Sequence, residues 1–278
     1  MRGIVEHIRQ ELTGYYSSGE INALSRIIAT ELLNIKESVY FLKESVELDE
    51  RCKKLLHDAI AALKHHKPIQ YILGYENFCD LRFEVNECVL IPRPETQELV
   101  RWIAADNKKT GTILDIGTGS GCIAISLANL LPDCKIEAWD ISHEALGVAT
   151  RNALLNNCAV EFVLKDILTY TPSDSKYDII VSNPPYIKEE EKSLMEANVL
   201  HWEPQLALFV PDDDPLLFYR AIAHKALTML NANGCLYFEI NRAYGKETCA
   251  MLHSIGYCDI ELRKDFAGND RMIKATKK

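Results

Sequence analysis

The most chemically loaded stretch of the chain is four residues long, Asn183-Pro184-Pro185-Tyr186. The run before it, Tyr177-Asp178-Ile179-Ile180-Val181-Ser182, is apolar enough to be a buried strand. Two consecutive prolines permit neither helix nor continued ladder pairing, so the backbone leaves the sheet in a rigid, extended turn. Ligands of open α/β sheets bind outside the carboxyl ends of the strands, which is where this turn belongs. It presents a side-chain amide, a carbonyl fixed by the next proline, and an aromatic ring. Such a set suits a planar NH2 group, because both of its protons find acceptors. Most Asn-Pro pairs are plain turn formers. What sets this one apart is a nucleotide-type motif upstream at the right spacing.

That motif is Gly117-Thr118-Gly119-Ser120-Gly121. It follows a buried strand, Thr112-Ile113-Leu114-Asp115-Ile116, and opens an apolar helix from Cys122 to Leu131. Glycines let the chain turn sharply and bring backbone N–H groups close to a ligand. A second strand, Lys135 to Trp139, ends in Asp140, about 20 residues past the glycines, where an acid for ribose hydroxyls is placed. A simple strand-end cap is the alternative for Asp140. The Gly-x-Gly-x-Gly spacing behind Asp115 differs from the Gly-x-Gly-x-x-Gly of dinucleotide enzymes and favours a nucleoside without pyrophosphate. S-adenosylmethionine is the candidate. A helix, His143 to Asn156, leads to a third strand, Val160 to Leu164, and then to Lys165-Asp166-Ile167. Asp166 suits an adenine amino group, with Ile167 packing on the ring. Arg93, between Pro92 and Pro94, reads equally as a solvated loop charge and as a residue fixed to hold a carboxylate.

Three segments position these residues. Residues 1–70 carry helical periodicity. Ser17 and Glu20 have capping-box spacing, ahead of a stripe of Ile21, Leu24, Ile27, Ile28 and Leu32. Asp49 leads a second stripe, Cys52, Leu55, Leu56, Ile60 and Leu63, which Lys64-His65-His66-Lys67-Pro68 closes. Adjacent helical histidines do not share a face, so no metal is indicated there. With no catalytic constellation, this bundle is expected to dock a partner. Residues 71–91 read as a β-hairpin linker, with alternation from Leu81 to Val85. Residues 92–278 hold the α/β domain. Its excursion over 187–213, with Trp202-Glu203-Pro204, is long enough to be a lid or binding loop. A helix (Pro215–Leu230), a strand (Leu236–Ile240), a helix (Gly245–Ile255) and two strands (Tyr257–Leu262, Met272–Thr276) complete a seven-stranded plan.

Bulk properties narrow the class. A net charge of −9 over 278 residues argues against a broad electrostatic grip on nucleic acid. The nine cysteines are scattered, with no Cys-x-x-Cys pair, so neither a disulfide framework nor a zinc site is indicated. No apolar run reaches the ~18 residues of a membrane span. A soluble protein of the reducing cytoplasm is expected.

With these residues placed, the chain resembles the HemK-type protein-glutamine N5-methyltransferases, which modify class I peptide chain release factors. The specific segments are Gln70-Tyr71-Ile72-Leu73-Gly74, Ile91-Pro92-Arg93-Pro94-Glu95-Thr96, Leu114 to Gly121, Asn183-Pro184-Pro185-Tyr186-Ile187, Glu203-Pro204 with Leu206-Ala207-Leu208, and Asp265 to Arg271. The Asn-Pro-Pro-Tyr signature is shared with DNA adenine methyltransferases; the Pro-Arg-Pro-Glu-Thr and Glu-Pro elements point to the glutamine branch. The chain departs from the pattern at Ile167, where many relatives carry an aromatic, and at His201-Trp202, which replaces a basic-aromatic pair.

The resemblance implies an α/β class I (Rossmann-like) methyltransferase sheet behind a small all-α bundle that docks the release factor. It also implies the glutamine of a Gly-Gly-Gln loop as substrate and S-adenosylmethionine as methyl donor. No Cys, His or Lys near the turn is poised for covalent or general-base work, which leaves positioning and electrostatics. Asn183 Oδ1 and the Pro184 carbonyl are expected to accept the amide protons, with Pro185 fixing that carbonyl and Tyr186 packing beside the amide. The donor is expected against Arg93, Gly117, Thr118, Gly119, Ser120, Gly121, Asp140, Asp166, Ile167 and Asn183. The rival substrates are a ribosomal protein's glutamine and the amino group of DNA or RNA adenine. A monomer without metal, membrane or direct nucleic-acid contact is expected.

Overall fold

Helix starts in the first part of the chain follow from capping chemistry. In the computed structural model, which describes residues 1–106, 110–172 and 176–278, the Ser17 N–H donates to Glu20 Oε2 at 2.8 Å and the Glu20 N–H donates to Ser17 Oγ at 3.3 Å. That closes the expected capping box in front of the helix Ser18–Ile27. The helix runs on through a wider π turn, Ile28–Leu32. Asp49 accepts from the Cys52 N–H at 2.7 Å and starts the helix Glu50–Lys64. These helices and Arg2–Leu12 bury Ile8, Leu12, Ile21, Ile28, Leu56, Ile60 and Leu63 in one core. The Tyr16 hydroxyl donates to the Leu63 carbonyl at 2.7 Å across it.

The chain divides into two units, Met1–Gly74 with Glu196–Trp202, and Tyr75–Met195 with Glu203–Lys278. These limits correct two expectations. Residues 71–73, assigned to a hairpin linker, lie in the helix Ile69–Leu73. Pro68 presets its start, and it stops at Gly74, whose φ of +80° is the left-handed conformation that glycine adopts without strain. Residues 196–202, assigned to the α/β domain, group with the helices instead. Trp202 Nε1 donates to the His65 carbonyl at 2.9 Å, and the Lys67 ammonium sits 4.7 Å from the Trp202 ring centroid.

The second unit opens with an antiparallel hairpin, β1 (Tyr75–Phe78) and β2 (Leu81–Glu84). Strands β3 (Thr110–Ile116), β4 (Asp133–Asp140), β5 (Glu161–Leu164) and β6 (Tyr177–Ser182) follow. A two-strand pair, β7 (Ile187–Lys188) and β8 (Phe209–Val210), lies within the long excursion, before β9 (Leu230–Glu239), β10 (Tyr257–Lys264) and β11 (Asp270–Lys277). All but the hairpin and that pair join one seven-stranded sheet in the order β5-β4-β3-β6-β9-β11-β10. Its strands are parallel except β11, which is antiparallel to both neighbours. Successive side chains of a strand point to opposite faces. Ile113, Ile179 and Val181 therefore face the helices Pro94–Asp106 and Cys122–Leu130, while Leu114, Ile116 and Ile180 face Leu217–Met229. Helices on both faces explain why β6 has no polar stripe to reveal a solvent side. No helix among the described residues is long and apolar enough to cross a membrane.

Candidate active site

The carboxyl ends of β3 and β6 are neighbours in the sheet, with Ile116 opposite Ser182 in the register. The glycine loop and the Asn-Pro-Pro-Tyr turn therefore leave the sheet side by side. The Ser182 hydroxyl donates to the Ile116 carbonyl at 2.6 Å and ties the two exits together.

The loop is fixed by its own backbone. The Gly117 and Thr118 N–H groups both donate to the Trp139 carbonyl of β4, at 2.8 and 2.9 Å. The Gly119 N–H donates to Asp140 Oδ2 at 2.8 Å. Gly117 and Gly119 hold φ values of +75° and +56°, and a Cβ on either would meet no protein atom within 4 Å. Gly121 is different. At φ +81° its missing Cβ would fall 2.8 Å from Ile125 Cδ1 and 3.1 Å from Ala149 Cβ, so this glycine lets two helices close. Asn152 braces the loop from behind, donating from Nδ2 to the Ser120 carbonyl at 2.9 Å and to the Glu84 carbonyl at 3.0 Å.

A cavity of about 260 Å³ opens over this floor. Arg93, Gly117, Thr118, Gly119, Ser120, Asp140, Asp166, Ile167, Asn183, Pro184 and Pro185 all line it, from five separate segments of the sequence. Two expected site residues are not among the lining. Gly121 packs beneath the loop, as above. Tyr186, expected beside the acceptor amide, turns its hydroxyl inward to Glu239 Oε1 at 3.3 Å and packs against the apolar cluster on that face of the sheet. Asn183, Pro184 and Pro185 stay on the cavity, and the phenol leaves it for the buried carboxylate.

The carboxylates of the site differ by environment. Burial raises Asp140, opposed by the N–H groups of Ser142, Gly119 and Ile141. Asp115, wholly buried under the loop, is pushed by desolvation up to about 7, although the Thr118 hydroxyl donates to it at 2.7 Å. Asp166 accepts from the Leu168 N–H at 2.8 Å and the Thr169 hydroxyl at 3.1 Å, which holds the turn after β5. Arg93 Nη2 is paired with Glu203 Oε1 at 2.5 Å, so this charge is neither a solvated loop residue nor wholly free for a ligand.

Glu239 was not singled out in the sequence, and Glu203 and Thr96 only as parts of motifs. The Thr96 hydroxyl donates to Glu239 Oε2 at 2.6 Å, and Asn183 Nδ2 lies 3.5 Å from Thr96 Oγ1. The available signal for Glu239 was a lone carboxylate inside the apolar run Leu236 to Ile240.

The residues present fit a nucleoside donor. Two cavity-lining glycines leave their Cβ positions open, the strand-end carboxylate of Asp140 lines the cavity, and Ile141, Ile167 and Ile222 supply apolar wall. This floor, with a parallel sheet reversed only at β11, defines a Rossmann-like methyltransferase. Residues 95–202 match the Methyltransferase small domain and residues 4–74 match the PrmC N-terminal domain. The chain belongs to the release factor glutamine methyltransferase family. Relatives of that name include the Bacteroides thetaiotaomicron protein, 46% identical over 100% of both chains. Another is from Flavobacterium psychrophilum, 47% identical over 95% of each. A third, from Streptococcus pneumoniae, is 42% identical over 87% of this chain and 86% of its own. The fold is shared with a solved methyltransferase from Pyrococcus furiosus, at TM-score 0.52 and 19% identity over 83% of this chain and 99% of that one. It is also shared with a T. thermophilus 16S rRNA methyltransferase solved in complex with AdoMet and guanosine, at TM-score 0.52 and 13% identity over 73% of this chain and 50% of that one.

Proposed function

We propose that this protein transfers a methyl group from S-adenosylmethionine to the side-chain amide nitrogen of a glutamine in a peptide chain release factor, within its Gly-Gly-Gln loop. The observation that carries the reading is the pairing of an amide acceptor, Asn183, with the glycine loop on one cavity wall, in a chain related end to end to proteins of that name.

When bound, the donor supplies an electrophilic methyl on a sulfonium. Everything else falls to the chain. Gly117, Thr118, Gly119, Ser120 and Gly121 shape the floor, Asp140 accepts from ribose hydroxyls, and Asp166 with Ile167 frames the base. An amide nitrogen is a poor nucleophile because its lone pair is delocalised into the carbonyl. Asn183 Oδ1 and the Pro184 carbonyl accept hydrogen bonds from its two N–H groups and turn the nitrogen toward the methyl. They also stabilise positive charge as it develops there. One of the two N–H protons is released to solvent once the N–C bond has formed. Pro185 holds that carbonyl in place. Arg93, neutralised by Glu203, stiffens the cavity rim and keeps its remaining N–H groups for the donor's carboxylate. The helical unit, residues 1–74, docks the release factor. A monomer acting in the cytoplasm on protein rather than nucleic acid agrees with the net charge of −9.

The test is methyl transfer from labelled S-adenosylmethionine to a purified release factor, beside a copy whose Gly-Gly-Gln glutamine is alanine. Label on the first alone is expected. Label on both would move the acceptor elsewhere, and label on neither, with donor bound, would overturn the substrate.

A further inference from the structure

Asn183 works as an acceptor only if its amide faces the cavity oxygen-first. The two ends of an amide have nearly the same shape, so shape alone does not choose between them. The choice is made behind the turn. Glu239 is a buried carboxylate near the end of β9, 2% exposed, and 143 residues from Thr96 in the chain. The Thr96 hydroxyl has one proton and gives it to Glu239 Oε2 at 2.6 Å. What Thr96 Oγ1 then offers on its other side is lone pairs. Asn183 Nδ2 is the group that faces them, at 3.5 Å. The reverse orientation would set Asn183 Oδ1 against those lone pairs, with no proton between. The same carboxylate also anchors the far end of the turn, accepting from the Tyr186 hydroxyl at 3.3 Å. The Tyr186 carbonyl accepts from Asn241 Nδ2 at 3.1 Å.

We infer that Thr96 and Glu239 are positioning residues for methyl transfer: a carboxylate-to-hydroxyl relay that fixes the Asn183 amide with its oxygen toward the substrate. The inference rests on the functional reading above and adds the device that makes Asn183 competent. Thr96 lines the cavity and Glu239 does not, and the relay requires neither to touch the substrate. Burial raises Glu239 toward its neutral form, and the Thr96 hydroxyl, the Arg271 guanidinium and the Tyr186 hydroxyl act against that, as a relay requires.

The experiment is a double-mutant cycle on the full chain with release factor as substrate, reading single-turnover methyl transfer, donor affinity and thermal midpoint together. Thr96→Val keeps the shape and removes the hydroxyl, and Thr96→Ser restores it. Thr96→Val is expected to slow transfer on the order of 10- to 100-fold, a misplacement effect, with donor affinity unchanged. Thr96→Ser should recover most of the rate. In an Asn183→Ala background, Thr96→Val should change nothing further, because its only route of action is gone. A full additional loss in that background would overturn the relay, as would wild-type rates in Thr96→Val. A loss of rate matched by loss of donor affinity would make the pair merely structural and overturn it too. If the unsubstituted protein transfers no methyl to glutamine while still binding donor, the functional reading falls and the relay with it; the other outcomes remove the relay alone.

Discussion

Arg93 and Glu203 lie 110 residues apart in the chain and meet in a 2.5 Å ion pair whose carboxylate side chain is 1% exposed and whose guanidinium side chain is 33% exposed. Glu203 Oε2 also accepts from the Ile91 N–H at 3.2 Å, so one carboxylate holds the Pro-Arg-Pro turn and the start of the loop after Trp202 in register. Removing the cation strands a buried charge. Arg93→Ala is expected to lower stability by about 1–3 kcal/mol, less than a fully buried pair because the guanidinium is partly solvated. Glu203→Gln should lose less, since the amide still accepts from Ile91. Urea unfolding of the three proteins measures both, and unchanged stability in Arg93→Ala would show the pair to be idle.

The glycines of the loop should separate into two kinds. Gly121→Ala meets Ile125 and Ala149 at a positive φ and should destabilise by about 1–3 kcal/mol. Gly119→Ala has open space around its Cβ, so its stability loss should be smaller and its effect should fall on donor affinity. Chemical denaturation and calorimetric donor titration of both variants decide this. The opposite ranking would mean that the loop packs differently.

Asp140 offers a choice between cap and ligand. Asp140→Ala removes the acceptor for the Gly119 and Ser142 N–H groups as well as for any ribose hydroxyl. If the carboxylate binds the nucleoside, donor affinity should fall about 10- to 100-fold. If it is only a strand-end cap, the thermal midpoint falls while affinity is retained by the folded fraction.

Asp115 should give the protein an unusual pH dependence. Its folded-state value of about 7 stands above the ordinary 3.8, so the fold favours the protonated acid. The corresponding stability is present below the unfolded value and is lost as pH rises from about 4 to about 7, because the unfolded chain releases the proton first. Asp115→Asn retains an acceptor for the Thr118 hydroxyl and cannot ionise. Relative to the parent, it should gain stability steadily across that window, by on the order of a few kcal/mol at the top. Unfolding free energies at intervals between pH 4 and pH 8 test the slope. A flat difference would place the titration elsewhere.

The features legible in the sequence are those with local causes. The Ser17–Glu20 box, the Asp49 cap and the glycine loop each state their geometry within a few residues, and the structure has them. The seven strands were readable from apolar runs and their spacing. The Glu239–Thr96 and Arg93–Glu203 pairs were not, because tertiary packing brings their partners together from over a hundred residues away. The inward turn of Tyr186 had the same cause: its hydroxyl follows an acceptor on another strand. The helical limit at Gly74 rather than residue 70 also has a local cause, the Pro68 start and the glycine stop.

The grouping of Glu196–Trp202 with the first 74 residues bears on how these units can be exchanged between relatives. A single crossover after Gly74 would import a foreign set of helices while leaving behind the tryptophan that donates to the His65 carbonyl. A functional chimera therefore requires two exchanged segments, the amino-terminal helices and a seven-residue insert borrowed from the middle of the other gene. The helical unit is thus discontinuous in the sequence, and one seam does not exchange it whole.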